Sequence, residues 1–69
     1  MTDHVYKQIE ITGSSSKSSD DAIRTAIAKA AKTVHSIRWF QVQEMRGHVE
    51  DGAIAHWQVT LKIGFALDD

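Results

Sequence analysis

The chain has 69 residues, 8 basic and 9 acidic side chains, a formal net charge of −1, and neither cysteine nor proline. That balance leaves no electrostatic footprint for nucleic acid or an anionic membrane, and no apolar run approaches the ~18 residues that span a bilayer. Disulfides and the common zinc frameworks are excluded with cysteine. A single domain of this size buries only ~60% of the surface its unfolded chain exposes, so one domain over 1–69 that gains stability by oligomerisation is the expectation. Met1-Thr2-Asp3-His4 lacks the basic and apolar regions of a signal peptide, which makes the cytoplasm the expected compartment.

The first element spans His4 to Thr12. Val5, Ile9 and Ile11 alternate with Tyr6, Gln8 and Glu10, the period of a half-buried strand, with Lys7 interrupting the apolar face. Gly13-Ser14-Ser15-Ser16-Lys17 has loop composition. Ser18 then caps a helix, with Asp21 as its capping-box partner, and Asp20 and Asp21 favour the positive end of the helix dipole. From Asp20 to about Ser36, Ala22, Ile23, Ala26, Ile27, Ala30, Ala31 and Val34 follow the i, i+3, i+4 spacing of one apolar helix face.

Two long strands follow, Trp39 to Val49 and Ala53 to Leu67, joined at Glu50-Asp51-Gly52. Asp-Gly is a strong two-residue hairpin turn. A regular hairpin about Asp51-Gly52 pairs Trp39 with Gly64, Phe40 with Ile63, Gln41 with Lys62, Val42 with Leu61, Gln43 with Thr60, Met45 with Gln58 and Arg46 with Trp57. A bulge would shift part of this register by one residue. The element order is β-α-β-β, an α+β fold. Strands of ~14 residues reach ~45 Å, whereas a helix of ~17 residues reaches ~25 Å. One helix cannot cover that hairpin, and its uncovered end carries Val49, Ile54 and Trp57. The other sheet face carries Tyr6, Trp39 and Met45, which also points to a partner surface or a ligand.

Three residues are candidates for binding. Trp39 is either an interface tryptophan or a flat, electron-rich platform for an electron-poor heteroaromatic ring. Gly64 opposite it leaves space beside the indole in this register. Gln58 offers an amide donor and acceptor that match the alternating carbonyl and N–H edge of a pyrimidine-like ring; alone, it reads as an exposed strand glutamine. Arg46 falls on the nominally buried face beyond the helix, either as an interface cation–π or ion-pair partner or as a ligand to a carbonyl or phosphate. Gly47 beside it is a possible bulge position. Trp39 and Gln58 share a face but lie ~20 Å apart along the hairpin, so a site using both must lie between subunits.

The four histidines give a weaker signal. His48 and His56 have opposite strand parity in this register, which argues against a shared metal unless a bulge intervenes, and His4 and His35 read as surface residues. The sequence contains no general acid–base motif, nucleophile motif, phosphate-cradling loop or metal signature. A non-enzymatic protein is expected.

Taken together, His4-Val5-Tyr6-Lys7, Ile11-Thr12-Gly13-Ser14, Trp39-Phe40, Arg46-Gly47-His48, Asp51-Gly52, His56-Trp57-Gln58-Val59-Thr60 and Lys62-Ile63-Gly64-Phe65 resemble the dodecins over almost the whole chain. The resemblance implies a three-stranded antiparallel sheet wrapped around one amphipathic helix, and twelve subunits in a hollow shell of cubic symmetry. It also implies flavin pairs held at subunit contacts for storage and photochemical quenching, without turnover. FMN, riboflavin or FAD is the implied cofactor, and coenzyme A is a further ligand of some bacterial members. By the same resemblance Trp39 stacks on the ring, Gln58 addresses its pyrimidine edge and Arg46 lines the pocket. Ala66 departs from the pattern, because several bacterial members carry a basic residue after Gly-Phe. That weakens the expectation of a phosphate or coenzyme A contact there.

Overall fold

The structure is a computed structural model and describes residues 3–67; Met1, Thr2, Asp68 and Asp69 lie outside the described residues. Four elements follow in the expected order: β1 (Tyr6–Ser15), α1 (Ser19–Ala30), β2 (Ile37–Glu50) and β3 (Ala53–Ala66). They form one antiparallel sheet in the order β1-β3-β2, with the longest pairing between the two hairpin strands. This is the expected β-α-β-β architecture.

The core forms where α1 crosses β1 and β3. Val59, Leu61 and Ile63 on β3 are essentially inaccessible, and Ala22 and Ala26 on the helix close over them. Ile9, Ile11, Ile23, Ile27, Ala30 and Ile37 complete the cluster. Alanine on the helix and glycine on the strand permit the approach. A Cβ on Gly13 would collide with the Ala22 carbonyl oxygen and approach the Ala26 Cβ to 2.7 Å. Gly13 is therefore a strand residue, paired with Val59.

Several boundaries differ from the sequence reading, among them the start of β2, at Ile37 rather than Trp39. β1 begins at Tyr6 and runs on through Ser14 and Ser15, placed there as loop, because β3 supplies Gln58 and Trp57 as partners for both. The helix stops at Ala30, not near Ser36. Tighter bonds end it, from Lys32 N–H to the Lys29 carbonyl at 3.2 Å and from Thr33 N–H to the Ala30 carbonyl at 3.1 Å. Ser36 then takes a positive φ of 64° that turns the chain into β2. The apolar spacing continues to Val34, but Ile37 must already pair with Phe65.

The Ser18 cap is present, with its Oγ accepting from Asp21 N–H at 3.0 Å. The reciprocal arm goes elsewhere: Asp21 Oδ2 accepts from Ser15 Oγ at 2.6 Å, which ties the helix start to the end of β1. The Asp51-Gly52 turn is as expected, with φ of 52° and 76° at the two residues. Both values lie in the left-handed region that a type I′ hairpin requires.

Gly13→Ala should therefore destabilise the chain by about 2 kcal/mol, as overpacking against backbone does. Urea unfolding of the variant checks this, and an unchanged midpoint would contradict the contact.

Candidate functional site

The hairpin register departs from regularity in three places, and the one between Val42 and Glu44 moves a candidate residue. From Trp39 to Val42 the pairs are those expected, including Trp39 with Gly64. Between Val42 and Glu44 one residue, Gln43, is extra on β2. The shift pairs Glu44 with Thr60, Met45 with Val59, Arg46 with Gln58, Gly47 with Trp57 and His48 with His56. A second irregularity near the turn skips Ala55 on β3, which restores Val49 opposite Ile54 and Glu50 opposite Ala53. A third, between Ile37 and Trp39, leaves Arg38 unpaired at the start of β2.

The shift is a consequence of the apolar pattern. On β2 the apolar positions change phase, from Phe40 and Val42 to Met45 and Val49. A regular strand would turn Glu44 and Arg46 toward the helix side, beside Val59 and Trp57. One extra residue returns them to the polar face at the expense of one unpaired position.

Arg46 is consequently not on the buried face opposite Trp57. It lies opposite Gln58 on the outer face, and its Nε donates to Gln58 Oε1 at 3.0 Å. The bulge that re-aims it is at Gln43, not at Gly47. Met45 likewise moves to the helix side of the sheet, where it remains exposed. Gln58 Oε1 accepts from Arg46, and among the described residues no partner engages the Gln58 amide N–H groups or the terminal guanidinium N–H groups of Arg46. The pair thus offers hydrogen-bond donors to any ligand, and suits an edge of carbonyl oxygens or an unprotonated ring nitrogen.

Trp39 is half-buried on the same outer face. The space over Gly64 is not vacant, as the sequence reading supposed. The Trp39 indole lies across it, and a Cβ on Gly64 would overlap its Cε2 and Cζ2. Tyr6, reaching from β1 over its partner Ala66, meets Trp39 edge to face, with ring centroids 6.2 Å apart and an interplanar angle of 68°. Gly64 and Ala66 form a small-residue floor on which aromatics from the two flanking strands meet. Sequence reasoning named Tyr6 only as an outer-face residue. Its role follows from its pairing with Ala66, two residues beyond Gly64 on the same strand, a β1–β3 register that the hairpin turn does not set.

Gln58 and Gly64 are six residues apart on β3, or ~20 Å along the strand. The chain therefore presents two separate features on one face, an aromatic platform near its open end and a donor pair near the turn. His4 and His35 are exposed, as expected. His48 and His56 are not of opposite parity; the Gln43 bulge makes them direct partners.

The chain is a β-α-β-β protein with a tryptophan seated on the outer sheet face and a cross-strand Arg–Gln pair. The Dodecin family profile matches residues 5–68. The chain is 38% identical over 65 residues to the dodecin of Thermus thermophilus, covering 94% of each sequence. Its fold superposes on the dodecin of Streptomyces davaonensis with a TM-score of 0.93 at 48% identity, covering 99% of this chain and 100% of that one. For the dodecin of Streptomyces coelicolor the TM-score is 0.92 at 43% identity, covering 100% of this chain and 99% of that one. The chain belongs to the dodecin family.

Gly64→Ala should dislodge the Trp39 indole. In a Trp57→Phe background, where Trp39 is the sole tryptophan, its emission should move to longer wavelength as the ring becomes more hydrated. An unshifted spectrum would show that the indole does not rest on Gly64.

Proposed function

We propose that this protein binds, stores and buffers a flavin, FMN or riboflavin, in a hollow homododecamer, without catalysing turnover. The observation that carries the reading is the Trp39 indole held against Gly64 and Tyr6 on the sheet face away from the helix. The core cluster gives that ring no role, since its members lie on the opposite face. A seated indole is a preorganised stacking surface for an electron-poor ring. It is also an electron donor at contact distance, which quenches the excited state of a stacked flavin.

Arg46 and Gln58 of a neighbouring subunit supply the polar edge. The N–H donors of the pair suit the carbonyl oxygens and ring nitrogen of the isoalloxazine pyrimidine portion, and the second lone pair of Gln58 Oε1 suits its N–H. The six-residue separation from Gly64 requires that they come from a different copy than Trp39. Self-association is supported by the helix side of β2 and the hairpin end. Phe40, Val42, Met45, Val49 and Ile54 are each between 42% and 64% exposed there. Burial of such side chains contributes roughly 1.5–3 kcal/mol each when complete.

Titration of FMN into the protein should quench flavin fluorescence. Trp39→Ala should weaken binding at least 30-fold, as loss of a central aromatic anchor worth about 2 kcal/mol or more does, while the assembly persists by native mass spectrometry. Full quenching by that variant would remove the stacking role. If chromatography of the ligand released on denaturation yields coenzyme A alone, flavin storage is the wrong reading.

Met45→Glu addresses the assembly. The side chain is 58% exposed in the single chain, so the fold should survive by circular dichroism while size-exclusion chromatography shows smaller species. An unaltered elution volume would remove Met45 from the subunit contact.

A further inference from the structure

The Gln43 bulge leaves one constellation that flavin binding does not use. His48 and His56 are directly opposed on β2 and β3. Their rings stack with centroids 5.1 Å apart and an interplanar angle of 13°. Glu50, two residues along on the same face of β2, brings Oε2 to 3.7 Å from His48 Nε2. In the single chain the His48 side chain is 56% exposed.

We propose that His48 and His56 form a bidentate chelate for a divalent transition ion of the zinc type. Directly opposed cross-strand residues hold their Cβ atoms ~4.5–5.5 Å apart. Rotation of the two rings about χ2 then brings one nitrogen of each to the ~2.0–2.1 Å of a zinc–imidazole bond. The Glu50 carboxylate lies on the Nε2 side of His48, 3.7 Å away, and so favours a proton kept on that nitrogen. That selects the tautomer whose Nδ1 lone pair faces the ion, the usual arrangement of a metal-bound histidine. Among the described residues no third His, Cys, Asp or Glu converges with the pair, so water fills the remaining coordination positions.

The donor set decides the ion class. Imidazole nitrogens suit zinc and its neighbours, whereas calcium and magnesium require oxygen ligands. Arg46, one row further along the face, adds a positive charge that the nitrogen–metal bonds must overcome, which further disfavours a purely ionic cation. A bound ion would cross-link β2 and β3 one row beyond the Arg46–Gln58 hydrogen bond.

The test is calorimetric titration of zinc into the full-length protein at pH 7.5 in a buffer that does not bind metal. One ion per chain is expected. His48→Gln and His56→Gln should each weaken binding at least tenfold, and the double variant should abolish it. His4→Gln and His35→Gln, distant from the pair, should leave it unchanged, and calcium should give no heat. Circular dichroism establishes that each variant is folded. In the unsubstituted protein, zinc should shift the His48 and His56 Cε1–H proton resonances together. Absence of saturable binding would overturn the proposal. So would binding that survives the double variant, or zinc-induced shifts confined to His4 or His35. None of these outcomes depends on flavin, so the chelate and the flavin reading stand or fall separately.

Discussion

The structure depends on one mismatch of length. The helix has 12 residues and the hairpin strands 14 each, so ~18 Å of helix lies on ~46 Å of strand. The molecule is accordingly long and thin, with principal extents of 55 × 20 × 14 Å. The helix covers β1 and β3, where Val59, Leu61 and Ile63 are sealed, and leaves the helix side of β2 and the hairpin end exposed. The private core is correspondingly small for a chain of this length.

The irregularities of the hairpin are placed by a second constraint, polarity. One extra residue at Gln43 and one at Ala55 offset each other, so the strands leave and rejoin the same register around the turn. Between those points every side chain of β2 is on the opposite face from the one a regular hairpin would give it. Arg46 and His48 owe their outer-face positions to this slip, and Met45 and Val49 their helix-side positions. A single insertion thereby assembles the Arg46–Gln58 pair and the His48–His56 pair while keeping charge away from Trp57 and Val59.

Much of this was legible in the sequence, and the remainder divides by cause. Alternation, helical spacing, the Ser18 cap and the Asp51-Gly52 turn are local signals, and they yielded the element order, the turn and the pairing of Trp39 with Gly64. The phase change between Val42 and Met45 was also present in the sequence, but a fixed register extended from the turn passes over it. That is why Arg46 was expected opposite Trp57 and the two histidines on different faces. The helix end was hidden for another reason. Apolar spacing to Val34 favours continuation, whereas the pairing of Ile37 with Phe65, a contact between distant parts of the chain, ends it. The role of Gly64 was misjudged because a missing side chain reads as vacancy until the ring that occupies it is seen.

Under the proposed function, assembly and ligand binding are thermodynamically linked. The platform at Trp39 and the donors at Arg46 and Gln58 are on a single stiff sheet, too far apart to meet on one ring. No rotamer change closes a gap of six strand residues. Only a second copy can, and the apolar helix side of β2 supplies the drive to recruit it. A ligand that binds only the assembled form stabilises it by RT ln(1 + [L]/Kd), about 2.7 kcal/mol at a hundredfold excess over Kd. The same linkage makes affinity fall when the subunits separate, although every binding residue remains intact on each chain. Helix length and ligand affinity are connected in this way. A helix long enough to cover the hairpin would bury the association surface and leave each half of the site without its complement.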